Sequence, residues 1–530
     1  MRRAAILALL VASAAADDIA RVKELAGRLG TGSEEDRAAA AKDLGTMGVR
    51  AKAAVPALAK ALGDDSQWVA DCASDAIKAI GPDSVPALLK ALASADGSVR
   101  AGAMRLLDEC FSRDLKPHLR TIAGLLKDEN RAAREHAASA LGQAGEAAIE
   151  LLLLGFAARE KHAHDAAVLG LAKVGAVAVS PLAEALSKGS DPTRAGAARA
   201  LGALKADGAG PELLKALSDR SPEVGGAAAL ALGQAGALHA EAIPRLVEGL
   251  GHASAPFREG CIDGLVAYGE PALPAVVAAL GEDESRAAAT VAIRRAELAA
   301  VPALVDGLAG GPVAVRRGAL EAIRGIGPCY VPDGLVAAVL GRLGDTDPGI
   351  RAEAARTLAG FGPRVKVDAL RTAADDADPS VRAAAVFALG ELGADPGRLD
   401  DADPLVRVEA ILAAWKLRGG PGAEELRKIA GDAAAATPVR AAALNAIGGM
   451  GLAAQGVDLV PLAGDPDAGI RRAAIDALAR ITQPSAQAIR DARAAAKPDK
   501  MVEAGLDWLA KNRGDDGEWR PPAEQGELVA

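Results

Sequence analysis

Between Asp17 and Thr482 one string of residues returns about every 30 to 35 positions, and nothing else in the chain restricts the fold as much. Its best-formed copy runs from Asp376 to Gly393 and reads Asp-Ala-Asp-Pro-Ser-Val-Arg-Ala-Ala-Ala-Val-Phe-Ala-Leu-Gly-Glu-Leu-Gly. Asp378 is placed to accept from the free amides that open a helix, Pro379 suits the first helical position because its φ is preset, and Gly393 terminates. Between them Val381, Ala384, Ala385, Ala388, Leu389 and Leu392 recur at helical spacing, so one face of a single helix is apolar.

Other copies start at Asp347-Pro348, Asp403-Pro404, Ser221-Pro222 and Thr437-Pro438, and degenerate ones end at Gly48, Gly81, Gly145, Gly175, Gly269 and Gly327. Ahead of each lies a shorter apolar helix, such as Val55 through Leu62, Val85 through Leu92 or Val301 through Leu308. Each unit is therefore a helical hairpin, and about fifteen are expected. A composition of 50% hydrophobic but only 2% aromatic residues, mostly Ala, Leu and Val, suits closely packed helices rather than sheets. One hairpin cannot bury its apolar face alone, so neighbours must stack into one core.

The period and the D-P-x-V-R turn resemble the HEAT-like repeats of phycobilisome lyases and many bacterial binding proteins. That resemblance implies an all-α right-handed α-solenoid superhelix whose second helices line a concave face. The N-cap acid of each turn and the Arg one turn later are read as a ladder between repeats that fixes stacking, the alternative being a row that binds a charged ligand. A net charge of −9 opposes tracking of phosphates, and nucleic acid is not expected as a partner.

Six histidines and four cysteines are the residues from which a catalytic or metal site could be built. His136, His162, His164 and Asp165, with Glu135, fall near the same turn of adjacent repeats and are the candidates for metal binding. Repeat hydroxylases of the deoxyhypusine type carry several His-Glu pairs, whereas here only Glu135-His136 occurs, in reversed order. Cys72, Cys110, Cys261 and Cys329 form no CxxC pair and are read as buried thiols. No phosphate-binding loop and no nucleophile beside a His stands out, so no catalytic residue and no cofactor is expected.

The repeat falters between Ala394 and Gly419, where the hairpin is short and Gly397-Arg398-Leu399 stands in place of a full first helix. Trp415 there takes the position of Gly390, which a helical wheel puts opposite the core face. It is the candidate partner anchor, with Phe387, Val386 and Ile411 around it and Trp68 as a weaker case. The other reading makes Trp415 a filler of the gap left by the missing helix turn.

At the start, Arg2 and Arg3, the apolar run Ala4 to Val11 and Ala14-Ala15-Ala16 have the order of a cleavable export signal over residues 1–16. No later transmembrane span is expected. The solenoid is assigned to residues 17–482, a linker to 483–498, and a tail to 521–530. Residues 499–520, with Leu506, Trp508, Leu509, Asp516-Gly517 and Trp519, resemble one unit of the α/α-toroid family of squalene cyclases and prenyltransferases, as a fragment or a cap. The expected function is an exported, non-enzymatic scaffold holding a protein partner, the alternatives being a phycobilin-lyase-like enzyme and an envelope spacer.

Overall fold

The computed structural model describes residues 16–325, 331–418, 423–450 and 459–480. The expected signal, linker, toroid-like unit and tail, and Cys329, lie outside the described residues, apart from Ala16. Helix is the regular structure of the described residues, which contain no strand. The chain divides into two compact units, residues up to Val276 and from Val277 onward.

The first unit stacks the longer, second helices of successive hairpins: α1 (Glu34–Met47), α2 (Gln67–Ile80), α3 (Gly97–Cys110), α4 (Arg131–Gln143), α5 (Lys161–Val174), α6 (Asp191–Ala203), α7 (Pro222–Ala235) and α8 (Ala255–Tyr268). Each packs on the next. The short first helices form a second layer, with Val55–Ala61 against Val85–Ala91. In the second unit the corresponding helices are α9 (Asp283–Ala296), α10 (Val313–Arg324), α11 (Pro348–Ala359), α12 (Pro379–Glu391), α13 (Pro404–Arg418), α14 (Thr437–Met450) and α15 (Ala468–Arg480). Fifteen second helices among the described residues agree with the sequence period.

The local grammar follows the sequence. The Asp378 carboxylate accepts from the Ser380 amide at 2.8 Å and Asp347 from that of Ile350 at 3.0 Å, while Gly393 closes its hairpin at a φ of 73°. Thr437 departs from expectation, because it opens the helix itself and its hydroxyl donates to Asp467 of the next repeat at 3.0 Å. The stretch from Lys161 to Lys188 is apolar and long enough to cross a membrane by composition. It is nonetheless two helices, α5 and Val179–Lys188, broken by a 3-10 turn that starts at Gly175 with a φ of 82°. Leu171, Leu182 and Leu186 of this stretch are buried in the stack.

Second helices touch one another as well as the first-helix layer, which sets what can stand twelve positions after the helix cap. Gly390 is there on α12, and a Cβ on it would lie 2.5 Å from Ala413 Cβ on α13. At Gly233 of α7 a Cβ would lie 2.1 Å from the Gly264 carbonyl oxygen of α8. Backbones meet where side chains are missing, and a larger residue must either hold them apart or bond across.

Candidate functional site

The recurring charges are used inside the stack. Arg351 of α11 forks onto Asp376 with Nε and Nη2 both at 2.8 Å, and Arg382 of α12 forks onto Asp401 at 3.0 and 2.9 Å. In the first unit Arg37 holds Asp64, Arg100 holds Asp128 and Arg194 holds Asp219 in the same way. Each arginine also reaches back into its own turn, as Arg382 Nη1 donates to the Asp376 carbonyl at 2.9 Å. The acid of the ladder is therefore not the helix cap Asp378 but Asp376, two residues earlier, which also accepts from the Asp378 amide at 2.8 Å. The Arg351 guanidinium holds the Asp376 carboxyl below the usual carboxylate range, and Arg382 does the same to Asp401.

Outside the ladder, the second unit carries a cleft of about 530 Å³ on its second helices. Ala359, Gly360, Ala383 and Ala384 make it possible by being small, and Arg324, Arg356, Phe387, Glu391, Leu405 and Glu409 surround the space. Its ions are mostly paired. Arg324 Nη2 lies 2.5 Å and Arg356 Nη1 3.6 Å from the Glu353 carboxylate. Lys416 pairs with Glu391 and stands 5.9 Å from the centre of the Phe387 ring. Glu409 is half-buried and makes no hydrogen bond or ion pair among the described residues. Burial pushes its carboxyl above the ordinary range; the charges of Arg356 and Lys416 oppose the rise and that of Glu391 adds to it.

A family model for HEAT repeats matches residues 22–108, 179–260, 211–295 and 336–400, just over half of the chain. The chain belongs to the HEAT-repeat family. No curated protein matches it in sequence. Solved structures with a similar fold include Kap121p bound to Ste12p, 13% identical over 92% of this chain and 66% of that one, with a TM-score of 0.40. This chain thus spans just under two thirds of that protein's length. Yeast importin-beta (Kap95p) is 13% identical over 93% of this chain and 75% of that one, TM-score 0.34. Human deoxyhypusine hydroxylase in complex with glycerol is 20% identical over 48% of this chain and 96% of that one, TM-score 0.20. At such identities the likeness concerns fold alone.

Within this HEAT-repeat chain the expected anchor residues separate. Trp415 stands twelve positions after Asp403, the position of Gly390, which lies on the side of a second helix that meets the next one. It is half-buried and packs against the cluster containing Leu426, Ile429, Leu444 and Ile447. The helical wheel placed it wrongly because it allows one buried face, whereas a second helix is covered by the first-helix layer and by a neighbour on each side. For the same reason Val386 is fully buried and Ile411 is buried, so neither is presented at the surface. Phe387 alone of that group lines the cleft. Trp68 is exposed at the start of α2, with Lys42 Nζ 5.0 Å from its ring centre.

The histidines are engaged separately. His164 occupies the ladder-arginine position of α5 and its Nε2 lies 2.8 Å from the Ala158 carbonyl, the bond Arg382 makes to Asp376. His136 Nδ1 lies 3.1 Å from buried Asp108, which also accepts from Ser139 and Gln143. His162 Nε2 lies 3.2 Å from the Lys127 carbonyl, and with Asp165 it borders a separate hollow beside Arg131 and Arg134. Among the described residues no group of three or more His, Cys, Asp or Glu side chains is placed to hold a metal. Cys72 and Cys261 are buried thiols, and Cys110, expected buried, is exposed at the end of α3.

Arg324, Arg356, Glu391, Glu409 and Lys416 were not singled out by sequence. The available signal was Glu353 and Glu409 six positions after their caps, where Gly196, Gly260, Ala288 and Ala384 stand in other layers.

Proposed function

We propose that this chain is a non-catalytic scaffold that holds a protein partner on the exposed side of its second helices. The observation that carries this reading is a contrast between two positions of one repeat. The ladder position is arginine in most layers, with Ala70, His164 and Gly225 as exceptions, and its arginines are spent on stacking. Five positions further along, the more exposed side of the same helices carries Lys42, Asp75, Arg105, Leu169, Glu321 and Phe387 in different layers. A constant frame with a different side chain presented per layer suits recognition of an extended protein surface.

The export reading is part of the same proposal, resting on Arg2, Arg3, the apolar run and Ala14-Ala15-Ala16. Mature protein from the native envelope is then expected to begin at or near Asp17, and an intact Met1 overturns that part.

The test of the scaffold is site-directed photo-cross-linking in the native host, with benzoylphenylalanine at Phe387 and Leu169 on second helices and at exposed Leu154 on a first helix. One protein adduct common to Phe387 and Leu169 and missing at Leu154 supports the reading. Adducts from Leu154 alone, or none, reject it. Bound pigment in the purified protein would instead point to the lyase-like enzyme.

A further inference from the structure

The cleft on the second unit has one charged group, Glu409, that makes no hydrogen bond or ion pair among the described residues. Glu353 and Glu409 occupy the same position on α11 and α13, with Ala384 between them on α12. Small side chains at that position let neighbouring helices close up, so a carboxylate there is set back from water. Glu353 is answered by Arg324 at 2.5 Å and Arg356 at 3.6 Å. Glu409 makes no such pair among the described residues: Arg356 and Lys416, which pair with Glu353 and Glu391, act on it only as nearby charges.

We propose that this cleft takes a Lys or Arg side chain from an extended segment of the partner protein, its charged head on Glu409 and its methylene stem along Phe387 and Leu405. The proposal rests on the scaffold reading and names the chemistry of one contact within it. A half-buried carboxylate without a partner is unfavourable, and a guest cation removes that penalty while adding a charge-assisted bond. The Phe387 ring accepts a cation over its face or an aliphatic stem along it. A carboxylate guest is disfavoured, because Arg324 and Arg356 already share the Glu353 carboxylate and Glu391 and Glu409 repel it. An apolar guest would cover Glu409 and leave it unpaired.

The test uses the full chain, immobilised, and acetylated, amidated pentapeptide pools with random flanks and a central Lys, Arg, norleucine or Glu. Retention is read by mass spectrometry at 0.15 M and 0.3 M salt, so that attraction to the acidic chain as a whole is screened out. Lys and Arg pools are expected to be retained at least about fivefold over norleucine at both salts. That selectivity should vanish in Glu409→Gln and persist in Glu184→Gln, a surface control far from the cleft in sequence. Equal retention of norleucine, or selectivity unchanged by Glu409→Gln, overturns the proposal. Should Glu409→Gln fail to fold by circular dichroism, Phe387→Ala decides the matter through its effect on the Lys-to-norleucine ratio: a fall supports the cleft and an unchanged ratio overturns it. A partner that cross-links to Phe387 and Leu169 but binds Glu409→Gln as well as the parent overturns this inference and leaves the scaffold standing. Loss of those cross-links with peptide selectivity retained does the reverse.

Discussion

Arg382 and Asp401 are joined by two parallel hydrogen bonds across nineteen residues, where the forked pairs Arg194–Asp219 and Arg351–Asp376 span 25. The first helix of that hairpin is missing: residues 394–403 form no helix, and Leu399 is exposed. The ladder is kept nevertheless, because Asp401 is brought to the site its counterparts reach after a helix. It also accepts from the Asp403 amide at 2.9 Å, so one carboxylate ties both the neighbour and its own turn.

Asp401→Asn and Arg382→Gln are each expected to cost about 1.5–3 kcal/mol, the usual range for a hydrogen bond to a charged group that is partly withdrawn from water. The double variant should lose much less than the sum of the singles, because the second change removes a group already left without its partner. Urea unfolding of all four proteins measures this. Additive losses would mean that the pair does not couple.

The ladder also sets the acid limit of the fold. The arginine forks hold Asp64, Asp219, Asp376 and Asp401 below their ordinary range. Stability from a depressed carboxyl is fully present above the unfolded value, about 3.9, and is lost as pH falls through the folded value. The urea midpoint should therefore change little between about pH 7 and 5 on account of these groups and fall steeply below about pH 4. Asp376→Asn should be less stable at pH 7 and show a shallower fall. A parent midpoint that stays level down to pH 3 would contradict the ladder.

How far the sequence could be read follows from where each signal lies. Hairpins, caps and terminating glycines are local, and Asp378, Pro379 and Gly393 state them within one repeat. The ladder acid was open to view as well, since Asp128, Asp219, Asp345, Asp376, Asp401 and Asp465 all stand two residues ahead of a helix-capping or equivalent position. It was missed because capping gives an acid in the turn a sufficient role of its own. The face of Trp415 was not legible from one helix, because burial there depends on the next layer. Glu409 was less legible still, as its cleft is assembled from α10 through α13 and only their stacking shows that neighbouring ions pair elsewhere.

Thiol reactivity gives a separate check on the register of the first unit. Cys110 is exposed, Cys72 and Cys261 are buried, and burial pushes the Cys261 thiol up to about 12. Iodoacetamide under native conditions at pH 8 should alkylate Cys110 rapidly and Cys72 and Cys261 only after unfolding. Mass spectrometry of the digested protein reads each site. Early labelling of Cys261 would mean that α8 is not packed as described.

Trp415 provides the sharpest test of how the last layers are held together. Its position on α12 is Gly390, where the next helix approaches to contact; on α13 the indole stands in that place and packs toward Leu426, Leu444 and Ile447. Removing it leaves a gap beside that cluster. Complete burial of a Trp makes its loss to Ala worth about 3–5 kcal/mol, so a half-buried one should cost about 2–3 kcal/mol. Trp415→Phe should recover most of that by keeping a ring in the gap. In a background lacking Trp68, Trp508 and Trp519, fluorescence of Trp415 should be shielded from acrylamide in the folded protein and lose that shielding in urea. An anchor waiting for a partner would behave otherwise, with a stability change within about 0.5 kcal/mol and quenching like that of a free indole. That outcome would return Trp415 to the surface and require α13 and α14 to be packed differently.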